Sequence, residues 1–278
     1  MKLWIHACLA VALAACGHHS NPGTDPDAGG PGSPDATAGP GDPGGPPAGC
    51  DPNGPQCNNC IDDDGDGRID GYDPECTGAS DNDEASFATG IPGDNKDPVM
   101  QDCFFDGDSG AGNDGCNIHV CCLLGATSAA ECPIGGTRYD PDSCPPPLGT
   151  HPLSAQCIAT CGKLTPPGCD CFGCCTVCDP ATDHCYDIAI NPADSVGCGP
   201  TTLDDPSKCL RCTKTESCGA ATCGGETCVL CPGQSPGDLP ASCNGTPMCP
   251  VATDACSTSD SCGEGGYCSN GCCIAIIF

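Results

Sequence analysis

The stretch Cys169-Asp170-Cys171-Phe172-Gly173-Cys174-Cys175-Thr176-Val177-Cys178 places five cysteines within ten residues. Whether these sulfurs are thiolates around a soft metal or are joined as disulfides decides what fold the chain can adopt. Two C-x2-C pairs overlap here, Cys171/Cys174 and Cys175/Cys178. Three more lie at Cys57/Cys60, Cys209/Cys212 and Cys228/Cys231. In a cytosolic protein that spacing suggests zinc. The choice therefore turns on compartment, because disulfides persist only where the surroundings are oxidising.

The amino terminus answers that question. One positive charge, Lys2, precedes a short apolar run from Leu3 to Ala15, the pattern of a secretory signal. The run is too short for the roughly 20 apolar residues of a spanning helix. Its last four residues, Leu13-Ala14-Ala15-Cys16, resemble the lipobox of bacterial lipoproteins. That resemblance implies cleavage after Ala15 and acylation of Cys16, whose acyl chains would anchor the protein to a lipid bilayer. The alternative is an ordinary signal cut at the same place. The chain has 34 cysteines; without Cys8 and Cys16, 32 remain between Cys50 and Cys273. This even number and high density in an exported chain predict a disulfide scaffold.

Composition supports that reading. Only 4% of residues are aromatic, and the single Trp is in the signal. A core so poor in large side chains needs covalent support. Gly, Pro, Asp, Asn, Ser and Thr interrupt every few positions, so the expected fold class is a set of small disulfide-rich modules of short β strands and irregular loops, with little helix. Asn117–Leu124 and Cys273–Phe278 are the apolar strand candidates. Parity and spacing suggest a signal at 1–15, a lipidated cysteine and disordered Pro/Gly/Asp tether at 16–49, an acidic module at 50–98, Cys-rich modules at 99–190 and 191–247, and a six-cysteine module at 248–278. Of the 33 residues from Gly17 to Gly49, 18 are Pro or Gly, too few apolar groups to offset the entropy of ordering. His18 and His19 lie in this tail and are read as inert.

Adjacent cysteines strain a ring if they bond to each other, so Cys121-Cys122, Cys174-Cys175 and Cys272-Cys273 are expected to tie to different segments. Cys249, Cys256, Cys262, Cys268, Cys272 and Cys273, with four glycines among them, resemble small knotted or colipase-like modules. Their pairing is open, since six cysteines allow 15 arrangements.

Charge excludes some partners. Against 37 acidic residues stand 8 basic ones, a net charge of −29. Nucleic-acid affinity comes from phosphate neutralisation by Lys and Arg, so no nucleic-acid partner is expected. Such acidity favours divalent cations.

The sharpest chemical motif is Asp62-Asp63-Asp64-Gly65-Asp66-Gly67-Arg68-Ile69-Asp70-Gly71-Tyr72-Asp73. In an EF-hand frame Asp62, Asp64 and Asp66 take positions 1, 3 and 5, and Gly67 makes the sharp turn. Arg68 offers its carbonyl, Ile69 is the apolar anchor, Asp70 falls at position 9 and Asp73 at position 12. Alternating carboxylates in a tight turn suit a hard, many-oxygen ion, and the expected cofactor is calcium. Position 12 is Asp where the EF-hand has Glu, and Cys60 and Cys76 stand where it has helices. The pattern is thus more similar to the D-x-D-G-D-G repeats of thrombospondin type 3 and related bacterial surface proteins, which implies calcium binding without a helix pair and a disulfide closing the loop. A second acidic stretch, Asp106 to Asp114, echoes a calcium nonapeptide but lacks the tandem copy such sites need, and is read as a turn-rich loop.

Other motifs carry less. Cys223-x4-Cys228-x2-Cys231 has plant-type iron–sulfur spacing, but no twin-arginine signal accompanies it. His119, His151 and His184 are present without a G-x-S-x-G elbow, an H-E-x-x-H pair or a phosphate loop, so no catalytic residue is assigned. In layout the chain resembles the Cys-rich exported lipoproteins of the myxobacterial type. That resemblance implies a non-enzymatic, calcium-binding protein of the cell envelope, reached by the general secretory route and serving adhesion, binding or envelope structure toward an unspecified extracellular or envelope ligand. Gly17 after the lipid cysteine is compatible with sorting to the outer membrane. The competing expectation is an envelope enzyme, hydrolytic or thiol-redox, or a thiolate metal binder.

Overall fold

The computed structural model describes residues 51–88, 99–106, 114–182, 184–190, 195–219, 222–250 and 253–276. All of them belong to one compact unit, 38–278. The signal, Cys16 and the whole tether lie outside the described residues, as do 107–113 of the second acidic stretch and Ile277–Phe278.

Regular structure is sparse. Among the described residues there are three antiparallel strand pairs and two short helices, linked by 3-10 turns. Strand β1 (Met100–Gln101) pairs with β2 (Ile118–His119), β3 (Cys174–Cys178) with β4 (Cys185–Ala189), and β5 (Gly266–Ser269) with β6 (Cys272–Ala275). Helix α1 is Val120–Leu123 and helix α2 is Ala155–Cys161. The stretch Asn117–Leu124, read from its apolar content as one strand, divides into β2 and α1. The switch occurs because the His119 Nδ1 accepts the Cys121 N–H and caps a helical turn. Ser154 caps α2 by accepting the Cys157 N–H.

Fifteen disulfides join described cysteines, and Cys60 is bonded to a cysteine outside the described residues. Each vicinal pair reaches two segments: Cys121 to Cys132 and Cys122 to Cys144, Cys174 to Cys212 and Cys175 to Cys169, Cys272 to Cys249 and Cys273 to Cys262. The last six cysteines close among themselves, with Cys256–Cys268 as the third bond. Cys171–Cys218 and Cys174–Cys212 instead cross residue 190. Even cysteine counts on the two sides of that position therefore do not delimit closed covalent units.

Cystines build much of the core. In one cluster Cys103, Cys121, Cys144, Cys157, Cys161, Cys171 and Cys174 are fully buried around Leu123 and Phe172. A second gathers Phe104, Val177, Ile188 and Leu203 against the other face of β3. At about 2–4 kcal/mol for a typical disulfide, crosslinks supply what the few aromatic side chains do not. The Asp170 carboxylate sits fully buried between the clusters, accepting the Phe172, Cys174 and Thr215 N–H groups. It ties the Cys169–Cys178 turn to the segment that also carries Cys212 and Cys218.

The two ends of the described chain meet. Asn270, in the β5–β6 turn, donates its N–H to the Gly71 carbonyl at 2.7 Å, and the Tyr72 hydroxyl donates to the Cys256 carbonyl at 3.1 Å. A Cβ on Gly71 would lie 1.9 Å from the Cys268 carbonyl oxygen, so only glycine permits this approach. Tyr267, from β5, is buried in the same place.

Candidate metal centre

The acidic loop is shaped by its own carboxylates. Asp62 accepts the Gly65 and Gly67 N–H groups, Asp64 accepts that of Asp66, and Asp66 accepts that of Arg68. Gly65 and Gly67 both have positive φ, +79° and +95°, which L side chains rarely adopt. In place of EF-hand helices, single 3-10 turns flank the loop, Gln56–Asn58 before it and Asp70–Tyr72 at its end. Cys57–Cys76 closes it at the base; Cys60, the nearer flanking cysteine, bonds elsewhere.

Behind the loop lies Glu84, fully buried, which receives the Asp63 N–H at one end of the loop and the Asp70 N–H at the other. Asp81, also fully buried, accepts from the Thr77 amide and hydroxyl and from the Asp83 amide. Burial raises both acids, Asp81 to about 7 and Glu84 to about 8. Sequence reasoning assigned neither of them, for they lie beyond the motif and carry no spacing signal.

The expected ligands divide into two groups. Asp62, Asp64, Asp66 and Asp73 are linked through their charges, with Asp66 acting on both Asp64 and Asp73. Asp64 lies close enough to Asp62 to share a proton, and burial followed by the charges of Asp66 and Asp62 raises its pKa. Asp73 lies equally close to Glu75, and the charge of Asp66 acts on both. Burial first, and their mutual contact second for Asp73, pushes both of these acids upward. Asp70 belongs to neither contact: its carboxylate accepts the Asn59 and Cys60 N–H groups. There it fastens the left-handed Cys60, at φ +62°, to its own left-handed backbone at φ +50°. Its pKa rises to about 6, chiefly through burial. Arg68 is half-buried, with its amide on Asp66.

Glu75 is the member that the twelve-residue frame misses. It stands two positions past the frame, beside Cys76, whose bond to Cys57 holds it under the loop. Asp73 and Glu75 are each 2% exposed, and Asp73 Oδ2 and Glu75 Oε2 have no hydrogen-bond donor. Without an ion, burial holds both acids toward their protonated forms. Among the described residues the ion pair is Lys214–Asp187, elsewhere in the molecule. Asp73 and Glu75 thus keep orphaned buried oxygens beside an acidic loop, with no ion pair to a basic side chain among the described residues. This donor set fits a hard divalent ion: calcium accepts six to eight oxygens in flexible geometry, whereas magnesium demands a stricter octahedron.

The remaining motifs are accounted for by crosslinks and caps. Every described cysteine is disulfide-bonded, and each described C-x2-C pair bonds outward. Cys223 and Cys231 join each other, and Cys228 joins Cys243. His119 is buried in its crosslinked turn against Tyr139, while His151 and His184 are exposed. No match to this chain was found among protein-family models, curated proteins or solved structures. Among the described residues no helix is long and apolar enough to cross a membrane.

Proposed function

We propose that this chain is an exported, lipid-anchored and disulfide-stapled protein that binds calcium at Asp62, Asp64, Asp66, Asp73 and Glu75. It acts without catalysis, in adhesion, ligand binding or envelope architecture at the outer membrane. The observation that carries the calcium reading is the pair of buried, donor-less oxygens on Asp73 and Glu75 beneath an acidic loop. A bound divalent ion gives both oxygens the partner they lack. The lipid anchor rests on the Leu13–Cys16 motif, and the export route on the same segment.

Calcium titration of chelator-treated protein tests the metal reading. The expected dissociation constant is on the order of 10^-4 to 10^-3 M, the range of extracellular modules. At calcium about 100-fold above that constant, the folded state gains about 2.7 kcal/mol, read as a higher melting temperature. Identical melting in calcium and in chelator would overturn the proposal. For the anchor, Cys16→Ser should block processing or release the protein to the medium; undiminished membrane retention would refute it.

A further inference from the structure

The stretch Asp106 to Asp114 lacks the stacked copy that a calcium nonapeptide uses, yet its two ends are stapled side by side. Helix α2 carries Cys157 and Cys161 four residues apart, hence on one face. Cys157 bonds to Cys116 and Cys161 to Cys103, and all four cysteines are buried. These two bonds hold Asp106, just after Cys103, beside Asp114, just before Cys116. A carboxylate oxygen of Asp106 and one of Asp114 lie within 4.8 Å of each other. The third atom of this cluster, Cys103 Sγ, is bonded to Cys161 and is no thiolate ligand.

Asp114 indicates what the pair holds. It is 6% exposed; its Oδ1 accepts the Cys116 N–H at 2.8 Å, and its Oδ2 has no hydrogen-bond donor. The neighbouring Ser154 hydroxyl donates to the Gly115 carbonyl instead. No Lys or Arg occurs between positions 97 and 137. A buried carboxylate oxygen without a donor, set against a second carboxylate, needs a cation. Opposite oxygens on a calcium ion stand about 5 Å apart at its usual bond lengths, so one ion spans both acids without moving them.

We propose that Asp106 and Asp114 hold a second hard divalent cation, with water completing its shell. One or two carboxylates plus water is the ordinary mode of magnesium, and the flexible shell of calcium accepts it too. This site is independent of the Asp62–Glu75 loop and, with fewer carboxylates, binds more weakly. Its ion joins the two ends of the β1–β2 connection, which the disulfides already fix to α2.

The Cys116 amide, bonded to Asp114, reports the site. On the full chain after chelator treatment, its NMR resonance should shift saturably with calcium chloride or magnesium chloride up to about 10 mM, roughly tenfold above the weakest constants of extracellular modules. The salt with the lower midpoint names the ion. Asp64→Asn, which disables the loop site, should leave this shift in place. Asp106→Asn does not touch the Asp114–Cys116 bond and should raise the midpoint at least tenfold. Asp114→Asn, which retains Oδ1 as acceptor, should do the same and decides if Asp106→Asn fails to fold. A Cys116 resonance unmoved by both salts overturns the proposal, as does a wild-type response in either variant. A shift that vanishes in Asp64→Asn also overturns it, because it then reports the loop ion. A Cys116 response that persists in a protein whose loop binds no calcium refutes the loop reading and leaves this site standing.

Discussion

Single carboxylates carry opposite duties in this protein, and their hydrogen bonds distinguish them. Asp170 and Asp70 are satisfied by backbone N–H groups and serve as internal caps; Asp73 and Glu75 have oxygens left over. Replacing Asp170 by Asn turns one acceptor into a donor facing an N–H, and should cost about 1–3 kcal/mol in denaturant unfolding. Glu75→Gln should preserve the fold in chelator and abolish most of the calcium-dependent rise in melting temperature. The pH response has a definite sign. Asp170, Asp81 and Glu84 have folded values raised to about 6, 7 and 8. Each contributes stability that is complete below its unfolded value near 4 and is lost as pH rises through the folded one. His119, lowered from 6.5 by burial, acts the other way, with stability present above 6.5 and lost as pH falls. Asp70, raised to about 6, acts with these three, and the four acids outweigh one histidine, so melting of the chelated protein should occur at lower temperature at pH 8 than at pH 5. The Asp-Gly loop could be read from sequence because its spacing alternates. Glu75, Glu84 and Asp81 could not, since only the fold brings them behind it.

At the level of elements, short strands and turns followed from the density of Gly, Pro and Cys, and the terminal strand β6, Cys272–Ala275, overlaps the expected stretch Cys273–Phe278 over residues 273–275. The segment 117–124 did not, because apolar content alone does not distinguish a strand from a capped helical turn; the deciding contact is one histidine nitrogen. The meeting of Gly71 with Cys268 was equally hidden. A glycine inside an acidic motif looks like a turn residue, and here it provides clearance for a carbonyl. Gly71→Ala should push the β5–β6 hairpin from the loop and cost about 1–3 kcal/mol, as overpacking does. Protease susceptibility should rise near Tyr72 and across 266–275, while cleavage in β3–β4 remains as in the wild type.

For the molecule as a whole, the even number of cysteines and their density announced a crosslinked scaffold, but not who bonds to whom. Titration of thiols under denaturing, non-reducing conditions should find close to none, and reduction should abolish the cooperative melt, because cystines occupy so much of the interior. The bonds that cross residue 190 have a further consequence for manufacture. If the chain is exported amino end first, Cys171 and Cys174 reach the oxidant well before Cys218 and Cys212, which follow 47 and 38 residues later. In the interval their nearest available thiols are Cys169, Cys175 and Cys178, none of which is the right mate for either. On that route any premature pair of Cys171 or Cys174 would have to be undone by thiolate attack, and the yield of native protein should rise with an isomerase that can reopen it.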